Sequence, residues 1–100
     1  MAEGAKAYVL VDVDVTDPQA YQTYKEAAQR AVAAHGGRYI VRGGAAEVLE
    51  GDRRPGRLVV LEFADAAAAR AWFHSPEYQA AAKLRRAAST ASFILVEGVA

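Results

Sequence analysis

Cysteine is absent from this chain of 100 residues, which excludes a disulfide framework, a thiol nucleophile and cysteine-ligated zinc. Histidine occurs only twice, at His35 and His74, with no HxxxH or HExxH spacing, so no metal motif is read and no metal site is expected. Positive charge is not in excess, since 12 Lys and Arg residues balance 12 Asp and Glu. Without a basic stripe there is nothing to neutralise a phosphate backbone, and no nucleic-acid partner is expected. Long apolar runs are also missing. The opening "MAEGAKAYVLVDVDV" is interrupted by Asp12 and Asp14 and reads neither as a signal peptide nor as a membrane span. The cytoplasm is therefore the default location. Large apolar side chains are scarcer than the 53% apolar content suggests, because alanine makes up nearly half of it. A core this thin gains from a partner subunit.

What is present alternates between two periodicities. The length predicts one domain, residues 1–100, with residues 1–6 loose. "AYVLVDVDV" is β-branched and partly alternating, a strand. Asp17 is a helix cap and Pro18 suits the first turn of a helix in which Tyr21, Tyr24, Ala28, Ala31, Val32 and His35 recur at helical spacing. "RYIVRG" is a second strand, which "AAEVLEG" is expected to continue past Gly43 and Gly44. "RLVVLEFA" is a third, paired with the second. Asp65 caps "AAAARAWFH", Ser75 and Pro76 open "SPEYQAAAKLRRA", and "TASFILVEGV" is the last strand. The order β-α-β-β-α-β predicts an α+β, ferredoxin-like fold, a four-stranded antiparallel sheet with helices on one face.

The segment "HGGRYIVRGG" carries two glycine pairs and suggests a phosphate cradle. The context argues otherwise. A phosphate loop joins a strand to a helix N-terminus, whereas Gly36 and Gly37 follow a helix C-terminus, where the macrodipole is negative. Gly36 reads as a helix stop, and Gly43-Gly44 as a bulge or bend.

Strand alternation assigns faces. Val9, Val11 and Val13 share one face with Val59, Leu61 and Phe63, and should pack under the helices. The second face is expected to hold Leu10, Ile40, Leu58, Val60, Phe93 and Leu95, together with Asp12, Arg42 and Glu62. Such an apolar patch calls for cover, and a homodimer with its sheets face to face supplies it. That arrangement encloses a cavity of apolar walls and a few charges, suited to a small molecule.

At "HGGRYIVRGG", "RLVVLEF" and "AWFHSPEYQ" the chain resembles the domain of unknown function 1330 (DUF1330) family of the dimeric α+β barrel superfamily. The resemblance runs from "AYVLVDVDVTDP" to "FILVEG". It implies a ferredoxin-like protomer and a dimer. Relatives by fold include cofactor-free monooxygenases, lactone isomerases, haem-degrading enzymes and aldoxime dehydratases. The family itself carries no settled reaction, and fold does not fix function.

Each candidate residue has two readings. Arg42 is either a structural ion pair with Glu62 or Asp12, or an anchor for a ligand carboxylate or enolate. His74 is either an acid/base group or a solvent-facing histidine complementing a helix end. The family often carries an aromatic residue where His74 stands. Trp72 and Tyr78 are packing residues that could also stack on a flat ligand at a barrel mouth. Ser75 is a cap, with no triad partner evident.

The leading expectation is a homodimer with a small-molecule pocket between sheet and helices, taking a small carbonyl or carboxylate compound. Any chemistry would need no cofactor: proton transfer, isomerisation, dehydration or oxygenation, with Arg42 and Asp12 at the ligand and His74 or Glu62 as acid/base. The alternative is a non-catalytic binding or accessory module whose barrel is filled by side chains. A haem or metal protein, with His74 as axial ligand, ranks third.

Overall fold

A computed structural model describes residues 4–100. The elements run β1 (Ala7–Val15), α1 (Pro18–Ala34), β2 (Arg38–Arg42), β3 (Arg57–Phe63), α2 (Ala66–Phe73), α3 (Pro76–Ala88) and β4 (Ser89–Glu97). The strands form one antiparallel sheet in the order β2-β3-β1-β4. This is the ferredoxin-like arrangement expected from the element order. All three helix starts are capped as read: Asp17 accepts from the Ala20 amide, Asp65 from the Ala68 amide, and Ser75 from the Tyr78 amide. Each cap satisfies an amide that the helix itself leaves unpaired.

Gly36 ends α1 as expected. Its φ of +72° is the left-handed conformation, and the Gly37 amide donates back to the Val32 carbonyl. Gly43 has the same φ of +72° and turns the chain out of β2. Here the structure corrects the expectation that "AAEVLEG" prolongs the strand, since 44–56 form an irregular loop. The physical reason lies in β3, which begins only at Arg57. Before it stand Pro55, which has no amide proton, and Gly56, whose amide donates to Asp12 Oδ1 at 2.8 Å. No ladder is left for 44–50 to join. At the N-terminus, Ala5 is buried, and the Lys6 carbonyl accepts from the Gly98 amide at 2.7 Å. Residues 1–3 lie outside the described residues.

The core lies between the sheet and the helix layer. Val9, Val11, Val13, Val59, Leu61 and Phe63 form its sheet side, and Tyr21, Tyr24, Val32, Trp72 and Tyr78 its helix side. The other face of the sheet carries no helix. Its middle row runs Val41–Val60–Leu10–Ile94 across all four strands, wholly apolar. Tyr8, Glu62, Val96 and Arg38 form one flanking row, and Asp12, Leu58 and Ser92 the other.

Two face assignments made from alternation are overturned. Phe93 pairs with Val11 and Leu95 with Val9, so both belong to the helix side, while Ile94 and Val96 take the open face. Strand β4 is apolar on both sides there, and only its pairing with β1 decides which side is which. Arg42 also changes face. A register shift between Tyr39 and Val41 places Ile40 in a bulge, so that Arg42 pairs with Val59 on the helix side while Arg38 stays opposite Glu62.

Candidate functional site

The bulge dissolves the charged trio expected on one sheet face. Asp12 and Glu62 stay on the open face, and Arg42 crosses to the helix side. Both oxygens of Asp12 are engaged: Oδ1 accepts from the Gly56 amide and Oδ2 from Arg53 Nη2 at 3.2 Å, which ties the 44–56 loop to β1. Glu62 Oε1 accepts from Arg38 Nε at 2.8 Å, with Lys6 Nζ at 3.7 Å. The Arg38 hydrogen bond holds the Glu62 carboxyl below its usual range. His74 is exposed at the end of α2, edge-on to Phe73. It lines a hollow of about 160 Å³ with Trp72, Phe73, Phe93 and Leu95. Asp12 and Glu62 therefore lie across the sheet from Arg42 and from the helix layer that carries His74, Trp72 and Tyr78.

Arg42 instead joins a different set. Its guanidinium lies 4.1 Å from the centroid of the Tyr39 ring, and Nη1 donates to Gln29 Oε1 on α1 at 3.0 Å. Arg57, beside it on the helix side of the sheet, stands 5.8 Å from the centroid of the Tyr21 ring. With Lys25 of α1 these two arginines form the rim of a cavity between α1 and the sheet. Tyr21, Tyr24, Tyr39, Trp72 and Phe93 give it aromatic walls, and no carboxylate lines it. Among the described residues, none of the three cations has a carboxylate at ion-pair distance. The inner chamber holds only about 30 Å³; an outer hollow of about 370 Å³ shares Lys25, Arg42 and Arg57 with it and is lined in addition by Gln22, Gln29 and the carboxylate of Glu26.

Behind this cavity sits a residue that the sequence reading missed. Arg85 of α3 is 6% exposed, with no carboxylate partner among the described residues. Its Nε donates to the Tyr78 hydroxyl at 3.3 Å, and its guanidinium stacks 4.5 Å from the centroid of Phe93. The Tyr78 and Tyr24 hydroxyls are 2.9 Å apart. Burial, reinforced by Tyr78, pushes the Tyr24 phenol well above its ordinary range, and burial raises Tyr21 and Tyr39 as well. A signal for Arg85 was present, because it follows Tyr78, Ala81 and Ala82 on the buried stripe of α3. An arginine on an apolar stripe is a buried charge that needs an explanation.

Trp72 lines both this cavity and the His74 hollow, and its indole N–H is buried without a hydrogen-bond partner. On the open face, the 44–56 loop and the apolar sheet row border a hollow of about 710 Å³, to which Val48 and Leu49 contribute. Leu49 is 89% exposed. Among the described residues no three His, Cys, Asp or Glu side chains come together to hold a metal ion, and no helix is long and apolar enough to cross a membrane.

Comparison with known structures agrees with this architecture. A protein of unknown function from Rhodopseudomonas palustris, RPA0582, superimposes with a TM-score of 0.79 at 20% identity, over 98% of this chain and 85% of that one. SnoaB, a cofactor-independent oxygenase from Streptomyces nogalater, gives 0.62 at 17% identity, over 96% and 95%. A dimeric ferredoxin-like protein of unknown function from Thermobifida fusca also gives 0.62, at 16% identity, over 98% and 93%. No protein of curated function matches the sequence. Residues 6–99 match the family model described as Domain of unknown function (DUF1330), and the chain belongs to that family.

Proposed function

We propose that this protein is a homodimer that binds a small, partly apolar anion, a carbonyl or carboxylate compound, in the cavity between α1 and the sheet. The observation that carries this reading is the lining of that cavity: Lys25, Arg42 and Arg57 at the rim, aromatic walls within, and no carboxylate in the inner chamber, against the single Glu26 of the outer hollow. Lys25 and Arg57 are half-buried without a partner anion, a costly state that an anionic ligand relieves, and the exposed Arg42 adds a guanidinium at the mouth. The bulge at Ile40 gives Arg42 this position, which supports a ligand-anchoring role for it without Asp12 and Glu62 as neighbours. Any chemistry at the site would be cofactor-independent proton transfer, isomerisation, dehydration or oxygenation. The similarity in fold to a cofactor-independent oxygenase is compatible with this.

The dimer rests on the open sheet face. An apolar row four strands wide cannot lie in water without cost, and pairing with the same row of a second copy covers it. Ile94, 54% exposed at the end of that row, is the position to test. Ile94→Asp would place a carboxylate from each copy in the apolar row that the partner covers. It is expected to turn a dimer into a monomer in sedimentation velocity, and a monomeric parent protein would overturn this part of the reading.

The anion site is tested by titrating benzoate against the fluorescence of Trp72, the one tryptophan in the chain. Arg57→Gln and Arg42→Gln are each expected to weaken benzoate about tenfold, since a hydrogen bond to a charged group contributes roughly 1.5–3 kcal/mol. Saturable binding that neither substitution changes would refute the assignment, as would the absence of saturable binding. A second reading, a non-catalytic module with a filled barrel, is favoured by one observation, the inner chamber of only about 30 Å³. Unliganded protein that takes up no small anion would support it.

A further inference from the structure

The hydroxyl pair behind the cavity has a proton to place. Each tyrosine carries one hydroxyl proton, and only one of the two can lie between Tyr24 and Tyr78, whose oxygens are 2.9 Å apart. If Tyr24 donates, the proton of Tyr78 is stranded, because Tyr78 is fully buried and its hydroxyl has only Tyr24 and the donor Arg85 as hydrogen-bond partners. If Tyr78 donates, every buried group is satisfied and the Tyr24 proton is left over. Tyr24, unlike Tyr78, is among the residues that line the cavity. A stranded buried donor is costly, which selects the second arrangement. Arg85 enforces it: by donating to the Tyr78 oxygen it makes Tyr78 a better donor in turn. Trp72 supplies a second unmatched donor, since its indole N–H is buried without an acceptor and the ring lines the same cavity.

We propose that the Tyr24 hydroxyl and the Trp72 indole N–H form a two-donor site for the oxygen of an ionised phenol or enol, with Arg85 as a positioning residue acting through Tyr78. This rests on the reading of the cavity as an anion pocket and narrows the ligand class. The dimensions agree. A chamber of about 30 Å³ takes a single oxygen, roughly the share of one water in the liquid, and not a ring. The ring would occupy the outer hollow of about 370 Å³, between Arg42 and Arg57. Two donors that share one oxygen stabilise its ionised form over its neutral form, and the two guanidinium groups of the outer hollow suit a flat, electron-rich ring.

The probe is 4-nitrophenol, whose ionised form is read by its visible absorbance independently of tryptophan. Bound to the parent protein, it is expected to ionise at a pH about one unit lower than when bound to Tyr24→Phe, and to bind that variant about tenfold more weakly in its ionised form. Tyr24→Phe changes no shape and is expected to fold. Trp72→Phe is expected to shift the ionisation in the same direction. Arg85→Met, which removes the donor that polarises the Tyr78 hydroxyl and so weakens its hydrogen bond to Tyr24, is expected to do so too without loss of thermal stability, because replacing a buried charge by an apolar chain of similar size is often neutral or stabilising. If Arg57→Gln weakens nitrophenolate while Tyr24→Phe and Trp72→Phe leave its affinity and ionisation unchanged, the anion pocket stands and the two-donor site is wrong. If the parent protein binds no nitrophenolate, both fail. If only Arg85→Met is silent, the positioning role falls.

Discussion

Trp72→Ala is expected to lower the free energy of unfolding by about 3–5 kcal/mol, the usual cost of truncating a buried large aromatic side chain. Trp72 is 1% exposed and sits at the centre of the aromatic core, its ring centroid 4.4 Å from that of Tyr78, 5.3 Å from Phe63 and 5.9 Å from Phe73. These three neighbours come from α3, β3 and the end of α2, so the collapse needed to fill the hole would have to move several elements at once. A domain of this size has only about 5–15 kcal/mol in total, and a large share of the variant should be unfolded under mild denaturant. Circular dichroism in urea measures the loss, since the substitution removes the only indole reporter. Trp72→Phe should cost much less, because the indole N–H has no bond to lose. A loss below about 1 kcal/mol for the alanine variant would mean that the aromatic cluster is not the centre of the core.

Alkaline pH is expected to remove stability steeply, with Tyr24 as the principal cause. In the unfolded chain a tyrosine ionises near 10.0, whereas in the folded protein burial, Tyr78 and Tyr21 hold the Tyr24 phenol protonated well beyond that. The folded state therefore binds more protons than the unfolded state above about pH 10. Stability is fully present below that pH and falls as pH rises, at about 1.4 kcal/mol per pH unit from Tyr24 alone. Tyr21 and Tyr39, also raised by burial, act in the same direction. Urea unfolding at successive pH values above about 9 gives the slope. Tyr24→Phe should reduce that slope by about 1.4 kcal/mol per unit and leave the neutral region nearly flat. An unchanged slope would show that Tyr24 ionises within the fold.

The two sets of expectations meet at Tyr24. The same unpaired hydroxyl proton that resists ionisation in the empty cavity is the one offered to a ligand oxygen. Alkaline stability and nitrophenol ionisation thus read one group from opposite sides, the first without ligand and the second with it.

Much of the architecture was legible in the sequence because it is written in local terms. Asp17, Asp65 and Ser75 mark helix starts by the chemistry of their own side chains, and Gly36 marks a helix end by its freedom at positive φ. The alternation of β1 and β3 separates buried valines from the open face without reference to anything else, and the element order follows from these signals in series. Three features were decided only by the tertiary structure. Arg42 changes face because one residue, Ile40, bulges out of the ladder, and a bulge resets the parity on which counting depends. Phe93 and Leu95 lie under the helices because β4 is apolar on both sides, so its orientation is set by hydrogen-bonded register with β1 and not by its own pattern. The Arg85–Tyr78–Tyr24 chain spans residues 24 to 85, and no local rule brings α1 and α3 to hydrogen-bonding distance. By itself the sequence determined which elements form and in what order, since propensity, capping and periodicity act over a few residues. Which side chains share the cavity was settled by packing and strand register, because those depend on contacts between segments far apart in the chain.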